Sequence, residues 1–295
     1  MRVRNMKITS LILICAMVLV LFAGCGNTQE TYDIAATTLP VYQFTCMLVD
    51  GTGLTVTRLI TENVSCLHDY SLNVKQVKAA ESANLIVTNG AGLEDFMADL
   101  LDGKQTVDAS KDIPLLEGCH EHEGHDEHPH EVDSHIWLSP ANAMVMVTNI
   151  TEALKAAYPD HQKTIEWNYI VLLTKLMALL EYGNKQLSGL ENRELITFHD
   201  GFAYFAQCFD LEILAAVEEE SGSETSAHQL IALIELVQQH KIPAIFTETN
   251  GSDASAKVIC AEIGIQVYTL DMAMAGDDYF AAMYHNIDTI REALG

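Results

Sequence analysis

Eight short apolar runs alternate with helix-like stretches, and that alternation constrains the fold more than any other feature of the chain. The first four runs are DIAATTL, LTVTRLI, NLIVTNG and the weaker TVDAS; the last four are ELITFH, LEILAAV, AIFTET and QVYTLD. Helices are expected between them at Val41–Val49, Leu72–Glu81, Leu93–Leu101, Phe202–Phe209, Ser226–His240 and Ala254–Ile263, with a last one at Tyr279–Ala293. Strands separated by helices pair in parallel, so the expected class is α/β. The two sets of four imply two lobes of parallel-sheet βα units. The lobes are alike in the order of their elements and not as a sequence repeat.

A helical segment lies between the lobes. Ser139 and Pro140 read as the cap and first position of a helix running to Ala157. Pro159 starts another with few breakers before Ser188, and Ile165, Tyr169, Leu172, Leu176 and Leu179 form its apolar stripe. About 30 helical residues span roughly 45 Å, enough for one rigid rod joining both lobes. The alternative is two ordinary core helices with a bend, and Gly183 is the weak point near the end. The expected organisation is residues 1–24 as signal, 25–31 as tether, 32–157 as first lobe, 158–190 as connecting helix and 191–295 as second lobe.

The start of the chain bears on compartment. Arg2, Arg4 and Lys7 precede an uncharged apolar stretch, Ile8–Phe22, that is short for a membrane span. An uncleaved anchor is the alternative. LFAGC resembles a bacterial lipobox, with Phe22 in place of the usual Leu, in which the signal is cut before Cys25 and that thiol is lipidated. Such a chain would be held at the extracytoplasmic face of a membrane. Loss of the three leader cations takes the formal charge from −25 to −28. A chain this acidic repels nucleic acid and attracts cations. The five remaining cysteines form no disulfide framework, and Cys208–Cys260 is the one pair worth testing.

Four residues lie just past strand-like runs: His68 after LTVTRLI, His135 ahead of the Ser139 cap, His199 ending ELITFH and Asp271 ending QVYTLD. Ligands of open parallel sheets bind beyond the carboxyl ends of strands. If the lobes face each other, these four converge on the cleft between them. Three imidazoles and a carboxylate complete a zinc-like shell without the open position that catalytic zinc keeps. No Walker loop, GxSxG or HExxH is present. A zinc hydrolase, with Asp271 as general base, is the rival from another class; the expectation is that the chain is no enzyme.

The stretches HDYSL, DSHIWLSP, TFHDGFAYFA and FTETNGSDASAKVICAEIGIQVYTLD resemble the zinc- and manganese-binding proteins of bacterial ABC importers, the zinc-uptake solute-binding family. The resemblance runs from about Tyr32 to the end of the chain. It implies two α/β lobes joined by a long rigid helix, with the metal in the interlobe cleft and His68, His135, His199 and Asp271 as ligands. It also implies an ABC permease as partner, a monomer, and in some relatives a side role in surface adhesion. The family often has Pro before the first histidine where this chain has Leu67.

Ligand type selects the ion. Manganese prefers more oxygen than this set offers, and in manganese-binding members the third ligand would be Glu where this chain has His199. Zn2+ is therefore expected ahead of Mn2+ or iron. Glu248, ending AIFTET, reads either as a residue orienting a ligand or as an ordinary strand-end acid. Between the first two ligands lies CHEHEGHDEHPHEVDSH, part of a His-rich loop at 117–134 with His120, His122, His125, His128 and His130. It has too little apolar surface to fold alone and offers exchangeable imidazole sites. It is expected to collect zinc near the cleft or to damp loading; the alternative is a solvated insertion without function.

Overall fold

The computed structural model describes residues 31–62, 67, 70–118, 132–218, 227–249, 251, 253–274 and 276–295. The first sheet holds β1 (Ile34–Ala36), β2 (Val56–Arg58), β3 (Leu85–Thr88) and β4 (Thr106–Asp108) in the order β2-β1-β3-β4, all parallel. The second holds β5 (Glu194–His199), β6 (Glu212–Glu218), β7 (Ala244–Glu248) and β8 (Gln266–Leu270) in the order β6-β5-β7-β8, again all parallel. The two sheets thus repeat one winding, as the alternation of runs predicts. In each, the order reverses beside the first strand, which opens a crevice at the carboxyl edge between β1 and β3 and between β5 and β7.

Helices α1 (Leu39–Val49), α2 (Val74–Ser82) and α3 (Ala98–Leu101) belong to the first lobe. The helix expected at Leu93–Leu101 is instead a 3-10 turn, Asp95–Met97, followed by one short α-helical turn. Gly90 and Gly92, with positive φ, lie just ahead of it, and Glu94, its second residue, is turned inward. Asn73 closes α2 with a capping box: its side chain accepts from the backbone of Lys75 and Gln76, and Gln76 reaches back to the Asn73 N–H. In the second lobe α6 (Ala203–Cys208), α7 (Ala227–His240), α8 (Ala254–Ile263) and α9 (Tyr279–Leu294) flank the sheet.

Between the lobes run α4 (Pro140–Ala157) and α5 (Gln162–Leu187). Ser139 caps α4 by accepting from the Asn142 N–H at 3.3 Å, and Pro140 fills its first position, where no N–H is needed. The 26-residue α5 is unbroken and packs on α1, α4 and α9, so it touches both lobes. Gly183 is no weak point. A Cβ there would lie 2.2 Å from the Phe209 ring, so glycine lets that ring close onto the helix. The Cys208–Cys260 pairing is also set aside: both are free thiols, and they sit in different apolar clusters.

The main core is continuous from the first sheet through α1, α4 and α5 to the inner face of the second sheet and α9. A smaller cluster of Ile196, Phe198, Leu233, Val237 and Ile259 lies between the second sheet and α7 and α8. A shared core ties the lobes together more firmly than a flexible linker would.

Candidate metal centre

The second sheet lines up candidate ligands along its carboxyl edge. His199 is the last residue of β5 and Glu248 the last of β7, each two residues beyond the Thr197–Phe246 pair. Glu248 is paired in register with Leu270, and Asp271 follows at once. The β5–β7 reversal therefore puts His199 and Glu248 side by side, both buried. Gly201 makes room for the imidazole, since a Cβ there would come within 2.8 Å of His199 Cδ2 and 2.6 Å of the Met272 methyl. Met272 and the His199 ring thus crowd one point, which brings the start of the Asp271 loop to the histidine.

His135 arrives from the first lobe, just ahead of a 3-10 turn at Ile136–Leu138. Its Nε2 lies 3.4 Å from Nε2 of His199, and the two rings meet edge to face. Two nitrogens bound to one tetrahedral zinc at 2.0–2.1 Å are about 3.3 Å apart. The pair is therefore already spaced as one edge of such a site. Asp133 Oδ1 sits 2.8 Å from His135 Nδ1 and also accepts from the His135 backbone N–H. A carboxylate only accepts, so the Nδ1 proton points at Asp133 and the Nε2 lone pair points at His199.

The rest of the His135 loop is pinned from both lobes. Asn89, at the end of β3, donates from Nδ2 to Ser134 O. Glu94 fills the β1–β3 crevice, where it accepts from Thr37 Oγ1 and from the backbone N–H groups of Asn89 and Gly90. Burial pushes its carboxyl up to about 7. The fully buried Trp137 donates to Met272 O at 2.7 Å, and its own carbonyl accepts from Tyr279 Oη at the start of α9. Positions 135 and 271 are thereby joined across the lobes through their near neighbours. Tyr204 Oη accepts from Leu116 N and donates to Asp133 O, and Glu117 pairs with Val132, so both arms of the His-rich insertion meet beside His135.

Asp271 is fixed mainly through its backbone. Asn286 on α9, fully buried, accepts from the Asp271 N–H and donates to its carbonyl, both at 2.7 Å. The Asp271 side chain turns one oxygen to the Ala273 N–H. Among the described residues no three His, Cys, Asp or Glu side chains meet at one metal-sized point. The structure joins His135 to His199 and carries Asp271 and Glu248 on the same edge. His68 lies outside the described residues, as do Cys25 and His120, His122, His125, His128 and His130. The ends of the stretch carrying His68 are described: Tyr70 Oη donates to Glu62 Oε2 at 2.6 Å, and Gln76 binds both.

Sequence reasoning missed Asp133 and Asn286. Asp133 carried a signal, an acid two residues before a candidate ligand. Asn286 carried none, because its partner is 15 residues away on another element.

The family model for the zinc-uptake complex component A, periplasmic (ZnuA), matches residues 34–293. The chain belongs to this family. The zinc-binding lipoprotein AdcA of Streptococcus pneumoniae (strain ATCC BAA-334 / TIGR4) is 32% identical over 97% of this chain and 61% of its own length. The chain thus spans about three fifths of that relative. A crystal structure of ZnuA aligns with TM-score 0.79 at 27% identity, covering 90% of this chain and 100% of the other. The Zn(II)-bound ZnuA-like domain of Streptococcus pneumoniae AdcA aligns with TM-score 0.76 at 29% identity, covering 90% and 99%. These likenesses agree with the two-lobed α/β architecture.

Proposed function

We propose that this protein captures Zn2+ outside the cytoplasm and delivers it to an ABC permease, without catalysing a reaction. The observation that carries the reading is the 3.4 Å separation of the His135 and His199 Nε2 atoms, one from each lobe, in a chain of the zinc-uptake family. His68 and Asp271 would complete four ligands, with Glu248 beside His199 in support. Relatives named as zinc-binding, one of them solved with Zn(II), favour the same ion. Manganese or iron is the alternative cargo, and hydrolysis is the reading set aside, because a filled shell leaves no place for an attacking water.

In this reading the leader is removed and Cys25 is lipidated, so the monomeric body is held at the membrane. No helix among the described residues is long and apolar enough to cross a membrane. The shared core and the Trp137–Met272 bond support a cleft that is largely formed before metal arrives. Release then requires the permease to draw away one ligand-bearing loop. The His-rich insertion, rooted beside His135, would supply ions to the cleft or slow its loading.

Competition titration of metal-free protein with zinc and manganese against a chromophoric chelator tests the proposal. Zinc should bind tightly, with manganese weaker by orders of magnitude. Micromolar or weaker zinc alongside tighter manganese overturns the assignment.

A further inference from the structure

The long helix α5 is apolar on two sides. Ile165, Leu172, Leu176, Leu179 and Leu187 face the core. On the opposite side Trp167, Ile170, Val171 and Met177 are 67%, 51%, 40% and 59% exposed. With Thr174 and Ala178 they follow helical spacing and form one stripe. Four of the nine large apolar side chains exposed among the described residues lie on this one helix, so the stripe is not random surface composition. We infer that the outer face of α5 rests on a lipid bilayer, holding the tethered body in a set orientation; the inference depends on the lipidation of Cys25 proposed above.

Three observations choose the bilayer. The first is where the tether joins. The carbonyl of Asp33, at the head of β1, accepts from Tyr158 Oη at 2.9 Å, and α5 begins four residues after Tyr158. Asn168 holds the same end of α5 to the carbonyls of Leu48 and Asp50. Seven residues from Cys25 to Tyr32 reach at most about 25 Å, and Trp167 lies only about 8 Å along the axis of α5 from its first residue, Gln162. The second is charge. In a chain of net charge −25, α5 carries Lys163, Lys175 and Lys185 against Glu166 and Glu181, so this face is spared the acid excess that an anionic membrane repels.

The third is area. The stripe exposes on the order of 400 Å² of apolar side chain, so two copies pairing through it fall short of the roughly 1,200 Å² of a stable specific interface. A tryptophan among aliphatic side chains with lysines alongside is the composition of interfacial helices. The tether resolves the weakness of one stripe by supplying a high local concentration.

Tryptophan fluorescence tests this on the full mature lipoprotein reconstituted in phosphatidylcholine–phosphatidylglycerol vesicles. Trp137 is fully buried, so a change in emission belongs to Trp167. Emission should shift to the blue and be quenched by brominated lipids, and Ile170→Glu with Val171→Glu should abolish the quenching while zinc affinity stays unchanged. A lipidated chain whose emission is neither shifted nor quenched overturns the proposal. So does a blue shift that grows with protein concentration in the absence of vesicles, which would assign the stripe to a second copy. Mass spectrometry of Cys25 separates these failures from that of the tether: a thiol without lipid ends both readings together.

Discussion

Asp133 and His135 are two residues apart in sequence, and a single carboxylate oxygen of the first holds both the backbone N–H and the ring Nδ1 of the second at 2.8 Å. The carboxylate sets the ring's direction and leaves Nε2 to face His199. Asp133→Ala should weaken zinc binding about 10–100-fold, the usual cost of losing a group that orients a histidine ligand. Chelator competition reads the affinity, and urea unfolding of the metal-free protein reads the separate stability cost, about 1–3 kcal/mol, of leaving buried N–H groups of His135 without their acceptor. An unchanged affinity would show that the ring is oriented by its packing on Trp137 alone.

Asn286 substitutes for a strand partner at the end of β8, with one bond to each side of the Asp271 backbone. Asn286→Ala leaves a buried N–H and C=O without those partners, at a cost of about 2–3 kcal/mol. Urea unfolding should show that loss, and zinc affinity should fall with it because the Asp271 loop is released. Stability lost with zinc binding intact would mean that Asp271 is not a ligand.

The bond between Tyr70 and Glu62 closes the stretch that carries His68. The Tyr70 hydroxyl is the main cause that draws the Glu62 carboxyl below its usual range, while burial and then Glu62 push Tyr70 up to about 12. A depressed carboxylate stabilises above its unfolded value and loses that contribution as pH falls through the folded one, so the clasp is intact at neutral pH. Tyr70→Phe should release zinc severalfold faster in a stopped-flow experiment with excess chelator, with little change in capture rate. Equal release rates would leave the clasp with a purely structural role.

Glu94 behaves in the opposite sense. Its folded value, raised to about 7 from 4.5, means the native state holds the proton more tightly than the unfolded chain does. The stability this group contributes is full below about pH 4.5 and is lost as pH rises toward 7, an effect of roughly 3 kcal/mol. Glu94→Gln should flatten the dependence between pH 5 and 7, seen in the difference between wild-type and variant unfolding free energies. Parallel curves would place Glu94 as an ordinary ionised carboxylate.

The alternation of apolar runs was enough to read both sheets, because a buried parallel strand announces itself by β-branched residues between helices. The Ser139–Pro140 signal located α4 for an equally local reason. His199 was legible as the end of a strand, and His135 as a residue ahead of a cap. What the sequence hid was long-range. Gly183 looks like a helix breaker until Phe209 is seen against it. Leu93–Leu101 has helical spacing, yet the inward turn of Glu94 toward Thr37 and Asn89 overrides it. The sequence assigns Trp137 no role and Tyr279 only the start of a helix, and the fold shows that their polar atoms tie together the loops of His135 and Asp271.

In the proposed function one zinc ion sits between His135 and His199 in a four-ligand shell. X-ray absorption at the zinc edge, on protein lacking His120–His130 and loaded with one equivalent, measures that shell directly. Four nitrogen or oxygen neighbours at about 2.0–2.1 Å, with imidazole scattering that falls when His199 is replaced by Ala, is the expected result. A six-coordinate oxygen-rich shell, or one whose imidazole signal is undiminished in His199→Ala, would contradict it.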